Sequence, residues 1–278
     1  MNSSLLLSIT TFIYGLSAVL YLISWVFKKK GPGRAAFFSL ALGALLNAGG
    51  IVLRWVESYQ LGIGHAPLSN LYESLVFFSL TIAVFYIFIE WRYQNPTIGV
   101  FASPLSFLSM AYASLSPNIS DHIQPLIPAL KSNWLIAHVV TCFLGYSALA
   151  IAFGISIMYL FKLTERGQKY RMLQSFPDSR SLDELNHQMV MVGFLFLTAG
   201  IITGAVWANS AWGSYWSWDP KETWSLITWF IYAAVLHARM MRGWHGRRIA
   251  WLCIFGFFAV LFTYFGVNLL PGLHSYGQ

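Results

Sequence analysis

Apolar residues in this chain come in long runs, not in period-two alternation or short amphipathic repeats. The runs lie near 5–27, 35–56, 70–90, 98–115, 134–161, 189–208, 225–241 and 249–269. A helix of about 20 apolar residues crosses the hydrocarbon core of a bilayer, so the pattern predicts eight transmembrane helices. The fourth run is short and carries Pro104. No strand-like pattern competes with these runs, and no internal repeat is visible. Met1-Asn-Ser-Ser-Leu has no basic residue ahead of its apolar run and no small-residue cleavage site after it. It reads as the start of a first membrane helix, not as a cleaved signal. The expected fold class is all-α: a polytopic membrane helical bundle forming one integral membrane domain over 1–278.

Composition agrees. The chain is 57% hydrophobic and 10% charged, with a mean hydropathy of +0.59, against about 25% charged residues in soluble domains. No polar stretch is long enough for a second, soluble domain. Seventeen basic residues against ten acidic give a net charge of +7, and their distribution sets an orientation. With the N-terminus outside, the cytoplasmic loops hold Lys28, Lys29, Lys30 and Arg34; Arg92; Lys162, Arg166, Lys169, Arg171 and Arg180; and Arg239, Arg242, Arg247 and Arg248. Only Arg54, Lys131 and Lys221 fall on the other side. The basic excess therefore fixes topology and meets anionic lipid; nucleic acid is not a partner. Both termini are then external, as is the loop 116–133, broken by Pro117, Pro125 and Pro128. In that loop Ile123, Leu126, Ile127 and Leu130 form a candidate interfacial apolar face. Cys142 and Cys253 lie apart in apolar runs, outside any Cys-x-x-Cys, and read as buried structural thiols.

Six of the twelve tryptophans fall between Trp207 and Trp229. The centre of that stretch reads Trp212-Gly-Ser-Tyr-Trp-Ser-Trp-Asp-Pro-Lys-Glu-Thr-Trp224. An interfacial aromatic belt accounts for Trp207 and Trp229. It does not account for Trp212, Trp216, Trp218 and Trp224 interleaved with Gly, Asp, Pro, Lys and Glu. Dense indoles in an external segment suit a large, flat, partly apolar ligand. Gly213 and Pro220 favour a turn there. Asp219, Lys221 and Glu222 are open to several roles: ordering the loop, contacting acidic groups of the ligand, or contacting a partner protein. Asp219 and Glu222 are also the candidate general acids.

Topology sorts the seven histidines. His187 and His245 lie among cytoplasmic charges and His122 beside Asp121, where solvation is the simplest reading. His65 is external or shallow, with no assigned role. His138 sits one turn inside the fifth span, level with the Trp-rich segment, and His274 follows the last span. Two external imidazoles on separate helix ends can approach one haem iron from opposite faces. His237 follows Trp224 by 13 residues, roughly 20 Å deeper at about 1.5 Å per residue. An ionisable group inside a span is a functional-site candidate, with a snorkelling interfacial histidine beside Arg239 as the alternative.

The segment Trp212–Trp224 resembles the tryptophan-rich "WWD" signature of haem-handling proteins in cytochrome c maturation. The form Asp219-Pro-Lys-Glu-Thr-Trp224, continued by Ser-Leu-Ile-Thr-Trp229, resembles the CcsA (ResC) family of system II. Pro67-Leu-Ser-Asn-Leu-Tyr-Glu-Ser74 and Gly266-Val-Asn-Leu-Leu-Pro-Gly-Leu-His-Ser-Tyr276 agree, so the resemblance runs from about residue 40 to the end. It implies a haem-binding subunit of a cytochrome c synthase that works with a separate CcsB (ResB) membrane partner. Haem b moves from the cytoplasmic side, past a site within the membrane, to an external site under the Trp-rich segment. There it is joined to the thiols of Cys-x-x-Cys-His in apocytochrome c, with thiol-reducing proteins as further candidate partners. The family's two external iron ligands fall on His138 and His274. Its intramembrane ligand falls on His237, opposite a ligand from the partner. Trp212, Trp216, Trp218, Asp219 and Trp224 complete the expected haem site. The implied location is the bacterial cytoplasmic membrane or a thylakoid membrane. An exporter or chaperone that never makes thioethers is the alternative function. A permanent two-haem electron carrier is disfavoured, because no second intramembrane histidine pairs with His237. Transport of another solute has no positive support.

Overall fold

A computed structural model describes residues 2–164 and 169–272. Among these, all regular structure is helical. The long elements are α1 (Ser3–Phe27), α2 (Lys30–Gln60), α3 (Leu71–Tyr93), α4 (Gly99–Leu115) and α5 (Asn133–Leu163). A short α6 (Arg171–Gln174) precedes α7 (Ser179–Trp212), α8 (Pro220–Arg242) and α9 (Arg247–Tyr264). Among the described residues seven helices are long and apolar enough to cross a membrane, the fourth over Pro96–Leu115 despite Pro104. The helix left out is α8, which begins with Lys221 and Glu222 and ends with Arg239 and Arg242. Hydropathy dilutes in such a segment, but geometry does not. Trp229 of α8 meets Thr198 of α7 and Arg239 meets Asp183. The two helices thus run antiparallel alongside each other over at least the 10 residues of α8 from Trp229 to Arg239, roughly 15 Å at 1.5 Å per residue.

Several helices outrun their apolar stretches because capping, not hydropathy, sets where a helix starts. The expected run 189–208 becomes α7 from Ser179, since Asp178 accepts hydrogen bonds from the amides of Arg180 and Ser181 at 3.0 and 2.9 Å. Its first turns are polar and lie ahead of the membrane-length segment.

The chain forms two compact units, Met1–Leu130 with Gln168–Pro177, and Lys131–Gly167 with Asp178–Gln278. In the first, α1 packs on α2 and α4, and α3 on α2 and α4. Asn47 of α2, fully buried, donates to Val76 O at 3.2 Å and Ser79 Oγ at 2.8 Å on α3. Arg54 and Glu73, each 2% exposed, form an ion pair of 2.8 Å, and Arg54 Nη1 donates to Asp121 O at 2.7 Å. Glu73 also accepts from the Ser69 amide, and Asn70 caps α3 through the Glu73 amide. The segment Pro67–Ser74 is therefore a helix start locked onto a buried arginine. Removing either partner of such a pair typically costs about 3–5 kcal/mol.

His65, open in the sequence, is buried here. Nδ1 lies 2.8 Å from Ala66 O and Nε2 3.0 Å from Gln124 O. It tethers the turn before α3 to the loop after α4.

In the second unit α5 and α7 form the main antiparallel seam, with α9 against α5 and α8. Asn186 of α7 donates to Ser156 Oγ of α5 at 2.5 Å and accepts from Cys253 Sγ of α9 at 3.3 Å, tying three helices together in the interior. Cys142 and Cys253 are both free and buried, as their apolar surroundings indicated.

Candidate functional site

The Trp-rich segment is a helix end, a seven-residue connection and a helix start. α7 stops at Trp212 because Gly213 takes a left-handed conformation (φ 77°) and returns its amide to Asn209 O. α8 starts at Pro220, whose fixed φ and missing N–H suit a first helical position. The expected turn at Gly213 and Pro220 is thus present, but only Trp216 and Trp218 stand in the connection. Trp207 and Trp212 belong to α7, and Trp224 and Trp229 to α8.

Asp219 and Glu222 form a capping box at the start of α8. Asp219 Oδ1 accepts from the Lys221 amide at 2.9 Å, and Glu222 Oε2 accepts from the Asp219 amide at 3.2 Å. Glu222 reaches further back and accepts from the Ser217 amide at 2.7 Å. Both carboxylates are buried, at 6% and 9% exposure, by this work of ordering the connection. Of the roles left open by the sequence, loop ordering is the one their hydrogen bonds carry out. Lys221 Nζ donates to Asn268 Oδ1 at 3.1 Å, fastening α8 to the 3-10 turn Gly266–Leu269. A Cβ on Gly272 would fall 2.5 Å from Asp219 Oδ2, so the chain after α9 returns to the foot of the connection. His274 itself lies outside the described residues.

The connection is held, yet its indoles are presented. Trp218 is 68% exposed and takes φ 59°, an uncommon conformation for a bulky residue. It meets Trp216 edge to face at 5.7 Å. Trp224 lies against Phe262 of α9 at 4.2 Å.

His138 completes this end of the unit. Its Nδ1 lies 2.8 Å from Gly200 O on α7. A carbonyl can only accept, so Nδ1 carries the proton and the lone pair of a neutral ring is on Nε2. No described residue hydrogen-bonds Nε2. The ring lies nearly parallel to Trp207 (8°, centroids 6.0 Å apart), and Trp207 meets Trp212 edge to face at 4.8 Å. Space for the imidazole comes from Gly204, where a Cβ would fall 2.6 Å from Nδ1. Trp207 is 3% exposed. It is therefore packed inside the helix bundle beside His138, not in an interfacial belt. The indole N–H of Trp229 donates to Thr198 Oγ1 at 2.9 Å, tying α8 to α7.

The structure thus brings His138, Trp207 and Trp212 together, and holds Trp216, Trp218 and Asp219 in a connection ordered by Glu222 and Lys221 of α8. It does not bring His237 to either group. His237 stands exposed on α8, in a stripe with Ile227, Phe230, Ala234 and Met241. Neither Gly204 nor the Gly200 carbonyl was legible as a partner of His138, because a side chain's partner across a helix seam depends on packing register. A glycine four residues after another on a membrane helix was the available hint of close approach.

The model of the cytochrome C assembly protein family matches residues 68–274. The cytochrome c biogenesis protein CcsA of Prochlorococcus marinus (strain NATL2A) is 39% identical over 95% of this chain and 93% of its own length. That of Guillardia theta is 41% identical over 94% and 92%. Among solved structures, a cytochrome c heme lyase CcmF superposes with a TM-score of 0.69 at 18% identity. That match covers 97% of this chain and 50% of the lyase chain, and it speaks for the fold. By its helices, its Trp-rich connection and these relatives, the chain belongs to the CcsA family of cytochrome c biogenesis proteins.

Proposed function

We propose that this chain is the haem-binding subunit of a cytochrome c synthase. Haem b is its cargo, moved to the external face and presented to the Cys-x-x-Cys-His segment of apocytochrome c. The names of its relatives support the role in cytochrome c biogenesis. The observation that carries the haem reading is the state of His138. A ring whose Nδ1–H is fixed by a backbone carbonyl and whose Nε2 keeps its lone pair is oriented as metal-binding imidazoles are. The ring is flanked by the parallel Trp207 indole and seated where Gly204 has no side chain. These features fit a flat iron tetrapyrrole.

In this reading His138 and His274 hold the iron externally, and Trp212, Trp216, Trp218 and Trp224 wall the site. Haem supplies the vinyl groups across which cysteine thiols add. The chain supplies position and exclusion. The capping box holds the connection so that its indoles stay fixed, which limits how the ligand edge can be offered. Asp219 and Glu222 act by ordering and not by proton transfer. His237, on an exposed apolar stripe, serves a second site within the membrane whose opposite wall comes from a CcsB-type partner chain. The site faces the periplasm or the thylakoid lumen, as the basic residues orient the helices.

The test is the visible spectrum and pyridine haemochrome of the protein purified with and without a CcsB-type partner and offered a Cys-x-x-Cys-His apocytochrome. Bound b-type haem that becomes thioether-linked on the apocytochrome is the expected result. Haem that binds but never becomes covalent, even with the partner, points to export or delivery. No haem in either preparation overturns the proposal.

A further inference from the structure

A second chemically distinctive surface lies at the opposite end of the second unit, where α8 turns into α9. An open cleft of about 690 Å³ there is lined by Arg242, Trp244, His245, Arg247, Arg248 and Trp251. The basic groups of this region fall into two sets. Arg239 is consumed by Asp183 at 2.7 Å, and Asp183 also accepts from the Gly246 amide at 2.8 Å and lies 3.3 Å from His245 Nδ1. That cluster fixes the turn. Arg242, Arg247 and Arg248 form no ion pair with any described carboxylate, and the Arg248 guanidinium lies 5.3 Å over the Trp244 ring. Three guanidiniums around one cleft, with no described acidic partner, call for an anion.

The helix beyond the cleft indicates what the anion is attached to. Trp251, Phe255 and Phe258 are 44%, 62% and 56% exposed and follow one another at intervals of four and three residues, so they form one stripe along α9. From Arg248 to Phe258 this stripe descends roughly 15 Å at 1.5 Å per residue, about the depth of one leaflet of a 30 Å hydrocarbon core. Charge at the head and an apolar track one leaflet long describe a lipid. We propose that the α8–α9 turn binds one anionic phospholipid, its phosphodiester among Arg242, Arg247 and Arg248 and an acyl chain along Trp251, Phe255 and Phe258. Arginine forks suit phosphate, and tryptophans suit the headgroup level.

Native mass spectrometry of the full chain, released from detergent after exposure to phosphatidylglycerol or phosphatidylcholine of matched acyl chains, tests this. One phosphatidylglycerol should be retained in preference to phosphatidylcholine. Arg242→Gln, Arg247→Gln and Arg248→Gln together should weaken that retention roughly 100-fold, at about fivefold per arginine. Phe255→Ala with Phe258→Ala leaves every arginine in place, so it stands should the triple variant fail to fold. It should lower phosphatidylglycerol retention while leaving binding of free glycerol phosphate unchanged. Equal retention of both lipids, or retention indifferent to both sets of changes, overturns the proposal. Free glycerol phosphate competing as well as the intact lipid would mark a site for small anions and overturn it too. None of these outcomes depends on haem binding.

Discussion

His138 and His237 are imidazoles on membrane-crossing helices of one unit, yet the chain treats them in opposite ways. His138 is enclosed. A carbonyl on α7 takes its Nδ1 proton, Trp207 lies parallel to its ring and Gly204 leaves room for it. His237 has no such surroundings. It stands among Ile227, Phe230, Ala234 and Met241 on an exposed face of α8, with no hydrogen bond to a described residue. An imidazole is useful to a metal only when its orientation is fixed. The first histidine is oriented by this chain alone. The second is not oriented by any described residue. Under the proposed function, the difference separates a site that this chain orients from one that a partner completes.

The largest expected effect tests the enclosed histidine directly. His138→Ala should lower haem retention at the external site by about 100-fold or more, beyond the loss typical of a supporting residue. Haemochrome titration reads this, and wild-type haem content, above all in a His138→Ala, His274→Ala double variant, would sink the assignment. Next comes Gly204→Ala, which leaves every ligand atom in place but sets a methyl 2.6 Å from Nδ1. The ring must turn, and haem affinity should fall about 10–100-fold with helix content unchanged by circular dichroism. Full affinity would mean that the orientation of the ring does not matter.

Trp216→Ala with Trp218→Ala should lower haem occupancy several-fold without unfolding the spans; intact occupancy would make this pair structural. A smaller effect separates the two readings of Glu222. Glu222→Ala removes the acceptor of the Ser217 and Asp219 amides. It should loosen the connection by about 1–2 kcal/mol, seen as faster hydrogen exchange over 214–221. Glu222→Gln keeps a capping-box acceptor and should restore protection and thioether formation together. Restored protection without thioether formation would instead assign Glu222 a proton-transfer role. The smallest effect is that of His237→Ala on the isolated chain, within about 0.5 kcal/mol of wild type. Its haem phenotype should appear only in the complex with the partner. A large loss of stability without the partner would mean that the face is not waiting for a second surface.

Much of this was legible in the residues. Eight apolar runs gave eight long helices, and Gly213 and Pro220 bounded the Trp-rich connection. The one helix that hydropathy undersells, α8, was found from its apolar middle, while its charged ends belong to a capping box and an ion pair. Three features were hidden. The partner of His138 lies 62 residues away in sequence, and no periodicity reveals which carbonyl on a neighbouring helix an imidazole will face. Trp207 looked like a belt residue because its depth was readable and its azimuth was not. His65 looked shallow because the loop that buries it, through Gln124 O, folds back from beyond α4.

The bond between His138 and Gly200 joins two helices whose backbones nearly touch. A Cβ on Gly145 would fall 3.0 Å from the Leu197 amide, and one on Gly193 would fall 2.5 Å from Leu149. Sliding α7 by a single residue, about 1.5 Å, would carry the carbonyl away from the imidazole. Under the proposed function the seam is a vernier for the ligand, and mutational drift along it is constrained by chemistry at its far end. A bulkier residue at Gly193, on the order of 10 Å along the helix from Gly200, should be tolerated only with a compensating loss of volume across the seam. Residues that never approach the cargo would then inherit the sequence constraints of those that do.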